Sequence, residues 1–336
     1  MHNKIYDIIK NFIVGSYKFI IFLFVLFLIL TYEFPYYIDT PGGLINLNDK
    51  IEITDKFDSD GSVNLAYVLE LKATLPNLII SKFQKNWSVV EKSKIVSSAE
   101  EEKLIKFRDK MLLEEANDNA VIVAYQKAQK EFEIIDNHLY ITYLDDDANT
   151  DLVVGDEIIE VDGKNIIDKQ QLLTIISNHK IGDTINIKVR NKNKYINKTA
   201  TLKSNDEHPI IGVVITENKT LKTYPEVKFN FSSNESGPSG GLMTAIYIYN
   251  SLIETDITKG LTLVGTGTID ENGNVGEIGG VEFKLKGAVK KKADVFFVPN
   301  GDNYNEAITI KKQFSYDIDI VGVDTFDEVL NYLANK

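Results

Sequence analysis

The sequence predicts an α+β protein with an N-terminal transmembrane helix. Three observations support this fold class. An uncharged apolar run lies near the start, short strand-like segments separated by turn residues fill 38–75 and 131–203, and apolar residues recur at helical spacing between and after them. At 336 residues, the chain has room for about two domains of roughly 150 residues each.

The apolar run extends from Phe19 to Tyr32, which is shorter than the roughly 20 residues that span a bilayer. Adding Phe12–Tyr17 supplies the missing length, with the Lys18 amine reaching the headgroups. Lysines precede the run and acidic residues follow it, so the N-terminus is expected in the cytoplasm. Because no small-x-small cleavage site follows, an uncleaved anchor over residues 1–37 is favoured over a signal peptide. The sequence thus predicts a single-pass cell-membrane protein whose remaining chain is extracytoplasmic.

The composition excludes several function classes. A net charge of −12 argues against nucleic-acid binding, and the absence of cysteine excludes thiolate metal sites and cysteine nucleophiles. No G-x-x-x-x-G-K-[ST] loop is present, so we expect no nucleotide and no other cofactor. The acidic segment Asp145–Asp151 has the alternation of a calcium loop, but Thr150 stands where a glycine is needed. We expect no metal site.

Helical periodicity follows the first strand-like segment. From about Leu78 to Lys130 the pattern is helical, and Ser97 or Ser98 is a candidate N-cap for the stretch beginning "AEEEKLIKFRDKMLLEEA". Residues 131–203 return to short strands around one predicted helix, Lys169–Ser177.

The stretch "LVVGDEIIEVDGKNIIDKQQLLTIISNHKIGDTINIKVRNK" resembles a bacterial PDZ domain. A Gly-Asp pair opens a strand, an Asp-Gly turn and a helix follow, and "DTINIKVRNK" leads into a hairpin. The resemblance implies that an extended peptide adds to a sheet edge beside the helix. Leu139, Tyr140 and Ile141 are the candidate peptide-binding residues, although the glycine usual in the preceding loop is absent. A spacer role is the alternative.

The segment "ESGPSGGLMTA" contains G-x-S-x-G, the spacing of a nucleophilic serine, around Ser239. All four histidines precede it, which excludes the chain order of α/β-hydrolases. Ser239 is predicted at a loop-to-helix junction, where free backbone N–H groups favour negative charge. Because Pro238 has no N–H, Gly237 and Ser239 are the expected oxyanion donors. A plain helix-capping serine would occupy the same place.

Without a histidine, lysine is the next available base, and it must be neutral to act. In "GGVEFKLKGAVKKKADVFFVP", Lys284 lies among apolar residues at helical spacing, on the face predicted to be buried. Lys286, Lys290 and Lys291 fall on the predicted polar face. Lys284 is therefore the candidate base.

Three segments resemble the proteolytic domain of the Lon family of Ser/Lys proteases: "ESGPSGGLMTA", "LVGTGTIDENGNVGEIGGVEFKLKGA" and "ADVFFVP". The resemblance implies that Ser239 is the nucleophile, that Lys284 is the dyad lysine, and that Thr266 hydrogen-bonds and orients the lysine. Gly240-Gly241 replaces the family's usual Ala-Gly. With the anchor and the PDZ-like block, the chain is similar to bacterial PDZ-bearing Lon-like proteases that lack an ATPase domain.

The predicted organisation is an anchor at 1–37, a strand and helical region at 38–125, a PDZ-like domain at 126–205 and a Lon-type domain at 206–336. The region 38–125 either forms the first part of the Lon-type fold or is an independent helical linker. The predicted function is a membrane-anchored, ATP-independent endopeptidase acting on protein or peptide substrates. A non-enzymatic PDZ receptor on an inactive protease scaffold is the alternative, and the resemblance to ring-forming Lon domains makes a homo-oligomer possible.

Overall fold

The computed structural model describes residues 2–92 and 102–336, and it forms two compact units. The N-terminal unit comprises Met1–Gly42 and Val68–Ala99, and the main unit comprises Gly43–Tyr67 and Glu100–Lys336. Both candidate N-cap serines, Ser97 and Ser98, lie outside the described residues. The mixed α+β class predicted from the sequence is confirmed.

The elements are numbered in chain order. The helices are α1 (His2–Thr31), α2 (Leu75–Ser81), α3 (Glu102–Ala128), α4 (Lys169–Ser177), α5 (Gly241–Leu252), α6 (Val281–Lys290), α7 (Asp302–Phe314) and α8 (Phe326–Asn335). The strands are β1 (Glu33–Asn46), β2 (Ile51–Ile53), β3 (Ser62–Thr74), β4 (Ser88–Glu91), β5 (Glu131–Leu144), β6 (Asn149–Thr150), β7 (Glu157–Val161), β8 (Lys164–Asn165), β9 (Thr184–Asn191), β10 (Lys194–Thr201), β11 (Lys203–Asn205), β12 (His208–Ile210), β13 (Val213–Tyr224), β14 (Val227–Phe229), β15 (Thr262–Gly265), β16 (Thr268–Ile269), β17 (Val275–Gly276), β18 (Val295–Pro299) and β19 (Asp319–Val323).

In the N-terminal unit, α1 is one continuous helix of 30 residues. Its segment Val14–Thr31 is long and apolar enough to cross a membrane, with none of it buried, although a signal sequence meets the same criteria. Strand β4 pairs antiparallel with β1, with Tyr36 opposite Glu91. The sequence predicted helix here, and that prediction is wrong for β4, because a four-residue strand is stabilised by its partner and not by its own pattern.

In the main unit, a parallel sheet separates two apolar cores. The first residues of β3 pair with β15, β15 pairs with β18, and β18 pairs with β19. Successive side chains of β18 alternate between the two faces, so Val295 and Phe297 join α3, α5 and α8, whereas Phe296 and Val298 join α6 and α7. Helices α5 and α6 therefore approach the same strands from opposite faces.

Helix α5 is buried on nearly every side, not only on the single face predicted from its apolar spacing. It packs against the sheet and against α3, which contributes Ala120, Val121 and Ala124 to the same core. A helix covered on both sides needs apolar residues all around, and "GLMTAIYIYNSL" supplies them.

The PDZ-like module has its own core under a sheet of order β13-β5-β7-β9-β10-β6. Helix α4 has the bounds predicted from the sequence, Lys169–Ser177. Asp168 caps it, since its Oδ1 accepts the Gln171 amide at 2.6 Å.

Strands β5 and β13 join this module to the rest of the main unit. They pair from Val213 opposite Leu144 to Tyr224 opposite Glu131. At one end of this ribbon Phe132 packs on the α3–α5 core, and at the other end Ile141 lies in the PDZ-like core. The two cores are thus joined by paired strands.

Helix α3 also holds β13 through carboxylates. Glu115 Oε1 accepts the Glu217 amide at 3.1 Å, and Asp118 Oδ2 accepts the Lys219 amide at 2.7 Å. Burial raises the pKa of Asp118 to about 7. The spacing of three residues puts both carboxylates on one face of α3, where they bind backbone donors of β13.

Candidate active site

Ser239 lies in a one-turn 3-10 helix, Pro238–Gly240, directly before α5. It is half-buried. The turn begins at Gly237, whose φ of 92° and ψ of 157° lie in a region essentially restricted to glycine. Before the turn, Glu235 accepts the Ser232 amide at 2.7 Å and pairs with Lys50 at 2.9 Å. The segment leading to the serine is therefore held through Glu235.

The glycines after Ser239 let the helix start close to its neighbours. A Cβ added at Gly241 would lie 2.9 Å from Ile269 Cγ2, and one at Gly240 would lie 3.1 Å from the Cδ atoms of Leu65. The departure from the family's usual Ala-Gly thus falls at a position where Leu65 leaves little space for a methyl group.

Lys284 lies on the first turn of α6 and is 5% exposed. Its Nζ donates to Thr266 Oγ1 at 3.0 Å, its single hydrogen bond within the part of the chain that the structure describes. Burial lowers the pKa of Lys284 to about 8, because desolvation disfavours the charged ammonium. Near neutral pH, a useful fraction of this amine is therefore unprotonated.

Thr266 connects the lysine to the serine turn. It follows β15 directly and is fully buried. Its Oγ1 donates to the Ser239 carbonyl at 3.0 Å while accepting from Lys284, and the Gly267 amide donates to the same carbonyl at 2.8 Å. Three predicted residues thus meet at the carboxyl end of β15, where the starts of α5 and α6 converge.

The lysine and the serine hydroxyl are not hydrogen-bonded to each other. The sequence predicted Lys284 as the base for Ser239, and the resemblance implied a hydrogen bond between Lys284 and Thr266. Among the described residues, Lys284 Nζ makes only the bond to Thr266. Serine contacts of this kind often tighten only when substrate binds.

The predicted polar position of Lys286 is wrong. The side chain is buried, its Nζ donates to Glu282 Oε1 at 2.5 Å, and it lies 5.0 Å from the centroid of the Phe314 ring. Glu282 and Phe314 cover it from α6 and α7. The two buried lysines differ in that Lys286 has a carboxylate partner and Lys284 has a neutral hydroxyl.

The predicted oxyanion donors need one correction. The Gly237 amide already donates to the Asp109 carbonyl of α3 at 3.1 Å, so it is engaged in this structure. Nothing in the local sequence signalled this contact, since Asp109 lies more than 100 residues earlier. Of the two expected donors, the Ser239 amide is the one that this contact does not affect.

The predicted peptide-binding edge at Leu139, Tyr140 and Ile141 is wrong for this structure. These residues of β5 pair with β13 on one side, and Leu139 and Tyr140 pair with β7 on the other. Leu139 and Ile141 are also buried in the module's own core. The chain's own β13 occupies the edge to which a peptide would add.

Residues 131–203 match the PDZ domain family, and residues 226–336 match the Lon protease C-terminal proteolytic domain. The chain combines a PDZ domain with a Lon-type proteolytic domain. Within the described residues, no group of three or more His, Asp or Glu side chains is placed to hold a metal ion.

Each of the similar proteins matches only part of this chain. The Lon protease of Campylobacter concisus (strain 13826) is 32% identical over 103 residues, which are 30% of this chain and 12% of that protein. The serine protease Do-like HtrA of Lactobacillus helveticus is 35% identical over 72 residues, 20% of this chain and 17% of that protein. The solved PDZ domain of the SdrC-like protein from Listeria monocytogenes has a TM-score of 0.23 and 25% identity, covering 25% of this chain and 92% of that domain. This chain spans 12% to 21% of the length of three curated relatives.

Proposed function

We propose that this protein is a membrane-anchored, ATP-independent serine endopeptidase with a Ser239–Lys284 dyad. The observation that supports it is the environment of Lys284: a buried amine that has no acidic partner among the described residues and whose pKa is lowered to about 8. The Lon-type domain supports serine protease chemistry. A purely structural lysine would be expected to have a carboxylate partner, as Lys286 has.

In the proposed reaction, neutral Lys284 takes the proton of the Ser239 hydroxyl as its oxygen bonds to the scissile carbonyl carbon. The carbonyl oxygen becomes an oxyanion, which backbone N–H groups including that of Ser239 stabilise. The C–N bond then breaks, and Lys284 delivers the proton to the leaving amine. Water, deprotonated in turn by Lys284, attacks the acyl carbon. The bond to the Ser239 oxygen then breaks, and that oxygen takes the proton back from Lys284. Throughout the reaction, the hydrogen bonds of Thr266 keep Lys284 and the serine turn in position relative to each other.

We also propose that the proteolytic unit extends beyond 226–336. Strand β3 extends the parallel sheet beside β15, and α3 shares its core with α5 and binds Gly237. These contacts favour the interpretation of 38–125 as mainly the first part of the Lon-type fold, with the PDZ domain inserted before its second part.

The alternative, a non-enzymatic peptide receptor, has less support. A receptor needs a free edge, and in β5 the chain's own strands fill it. The lowered pKa of Lys284 would have no use in a receptor. We therefore assign the PDZ domain a role in positioning protein substrates, through a surface other than the β5 edge.

Cleavage of an unstructured protein by the purified full chain tests the dyad. Ser239→Ala and Lys284→Arg should both abolish cleavage, because guanidinium stays protonated and cannot act as base. Lys290→Arg, at an exposed position of the same helix, is the matched control and should retain activity. Adding ATP should change nothing. Substantial cleavage by Lys284→Arg would refute Lys284 as the base.

The proposed topology has a separate test. Protease added to intact, wall-stripped cells should digest the region after Tyr37, because the lysines before the apolar run favour a cytoplasmic N-terminus. Protection of that region until lysis would reverse the orientation, and release of a shortened soluble chain would identify α1 as a cleaved signal peptide.

A further inference from the structure

Helix α2 and the residues after it expose apolar side chains in the N-terminal unit. Ile79 is 51% exposed, Ile80 43%, Phe83 80% and Val89 45%. We call these four residues the α2 patch. Single exposed apolar residues are common, but a group in one short segment usually has a partner.

The α2 patch lies beside the end of the apolar helix. Helix α2 contacts α1 directly. In β3, Lys72 pairs with Glu33 at 2.7 Å, and Glu33 comes two residues after α1 ends. Strand β3 continues past this pair to Thr74, and α2 begins at the next residue. The chain therefore carries α2 to the level of the last turns of α1.

The residues around the patch have the chemistry of a membrane interface. Lys82 and Lys85 are exposed and flank Phe83, where their amines can reach lipid phosphates while the aromatic ring enters the acyl region. Trp87 is half-buried in the same segment. Tryptophan and lysine beside an apolar face are typical of segments that lie in the interface without crossing it.

We propose that the α2 patch inserts into the headgroup–acyl boundary of the bilayer that α1 crosses, in the leaflet at the Thr31 end of α1. This inference rests on the proposed membrane anchoring. Continuity with α1, whose apolar segment Val14–Thr31 is unburied, makes lipid the occupant rather than a second protein. Insertion at two places fixes the N-terminal unit against the membrane surface and prevents it from rotating freely about α1.

The single tryptophan of the chain makes the test direct, because Trp87 fluorescence reports on this segment alone. The full chain carrying Ser239→Ala, to prevent self-cleavage, is reconstituted into phosphatidylcholine and phosphatidylglycerol vesicles. Lipids brominated at shallow or deep acyl positions serve as quenchers. We expect strong quenching, greater for the shallow bromines, since interfacial segments lie about 5–10 Å into the boundary.

Two variants separate the patch from the anchor. Ile79→Ser with Phe83→Ser should reduce quenching severalfold while the protein still floats with the vesicles, because α1 retains it. The matched control, Val153→Ser with Ile167→Ser, changes two exposed apolar residues of the PDZ domain and should leave quenching unchanged.

The outcomes distinguish this inference from the anchor on which it rests. Failure of the chain to float with vesicles would refute membrane anchoring itself. Flotation with Trp87 unquenched by bromine and open to a water-soluble quencher would refute the α2 patch alone. Flotation with Trp87 shielded from both quenchers would place a protein surface, such as a second copy, over the patch and would also refute lipid insertion.

Discussion

Replacing Lys284 with Met should stabilise the main unit near neutral pH while it abolishes peptidase activity. The folded protein lowers the pKa of Lys284 from 10.5 to about 8. That difference corresponds to about 3 kcal/mol of unfavourable free energy whenever the amine is protonated in both states. Met keeps most of the apolar volume but loses the hydrogen bond to Thr266, which offsets about 1 kcal/mol. A net gain of about 2 kcal/mol in the free energy of unfolding is therefore expected at pH 7.

The pH dependence identifies the cause. Between pH 8 and 10.5 the unfolded chain binds a proton at Lys284 that the folded chain does not, so the stability of the lysine protein rises with pH in this window. The advantage of Met should be fully present below pH 8 and shrink by about 2 kcal/mol by pH 10.

Urea unfolding followed by far-ultraviolet circular dichroism measures this difference. Both proteins should carry Ser239→Ala, which prevents self-digestion during the experiment. Trp87 fluorescence is unsuitable, because that residue lies in the N-terminal unit. The explanation by desolvation of the Lys284 amine would be refuted by a stability advantage of Met that stays constant from pH 7 to 10. It would also be refuted if the Met protein were less stable than the Lys protein at pH 7.

Peptidase activity should rise with pH with a midpoint near 8, the pKa of Lys284, and a midpoint near 10 or a falling profile would contradict a neutral-lysine base. Thr266→Val should lower kcat far more than it changes KM, because it removes the hydrogen bonds to Lys284 and to the Ser239 carbonyl; equal rates for Val and wild type would exclude an orienting role. Gly241→Ala should lower the melting temperature and the activity more than Gly240→Ala. A Cβ at position 241 meets the Ile269 side chain and backbone, whereas a Cβ at position 240 meets only the movable end of the Leu65 side chain. The reverse order of the two effects would contradict this packing. Ile141→Asp should unfold the PDZ domain, detected as rapid cleavage at 131–224 by an added protease, rather than weaken peptide binding on an intact domain.

The candidate dyad could be found from the sequence because its signals are local. Lys284 is a charged residue type at a position where the spacing of a ten-residue helix predicts an apolar one. This exception can be recognised without knowledge of any distant residue. Ser239 likewise stands in a short motif at a loop-to-helix junction. The bounds of α4 were predictable for the same reason, since an Asp cap and a turn enclose the pattern.

The wrong predictions all involve partners that are distant in sequence. Lys286 is covered in part by Phe314 of α7, which no window around α6 contains. The β5 edge is filled by β13, some 75 residues later, and an alternating pattern cannot tell which strands will pair. The Gly237 amide is held by Asp109 from α3. Periodicity in the sequence predicts which face of a helix or strand is buried, but it does not predict which distant residues cover that face.

The ribbon of β5 and β13 sets how far the PDZ domain lies from the serine. A flexible linker would let that domain search a wide volume, whereas paired strands extending from one core to another hold it in place. If the PDZ domain holds substrates as proposed, a polypeptide bound there must span a fixed distance, at about 3.3–3.6 Å per extended residue, before it reaches Ser239. The protein would then select substrates by the number of substrate residues between the segment held by the PDZ domain and the cleavage site. Changing the number of residue pairs in the ribbon would move the cleavage site along the substrate.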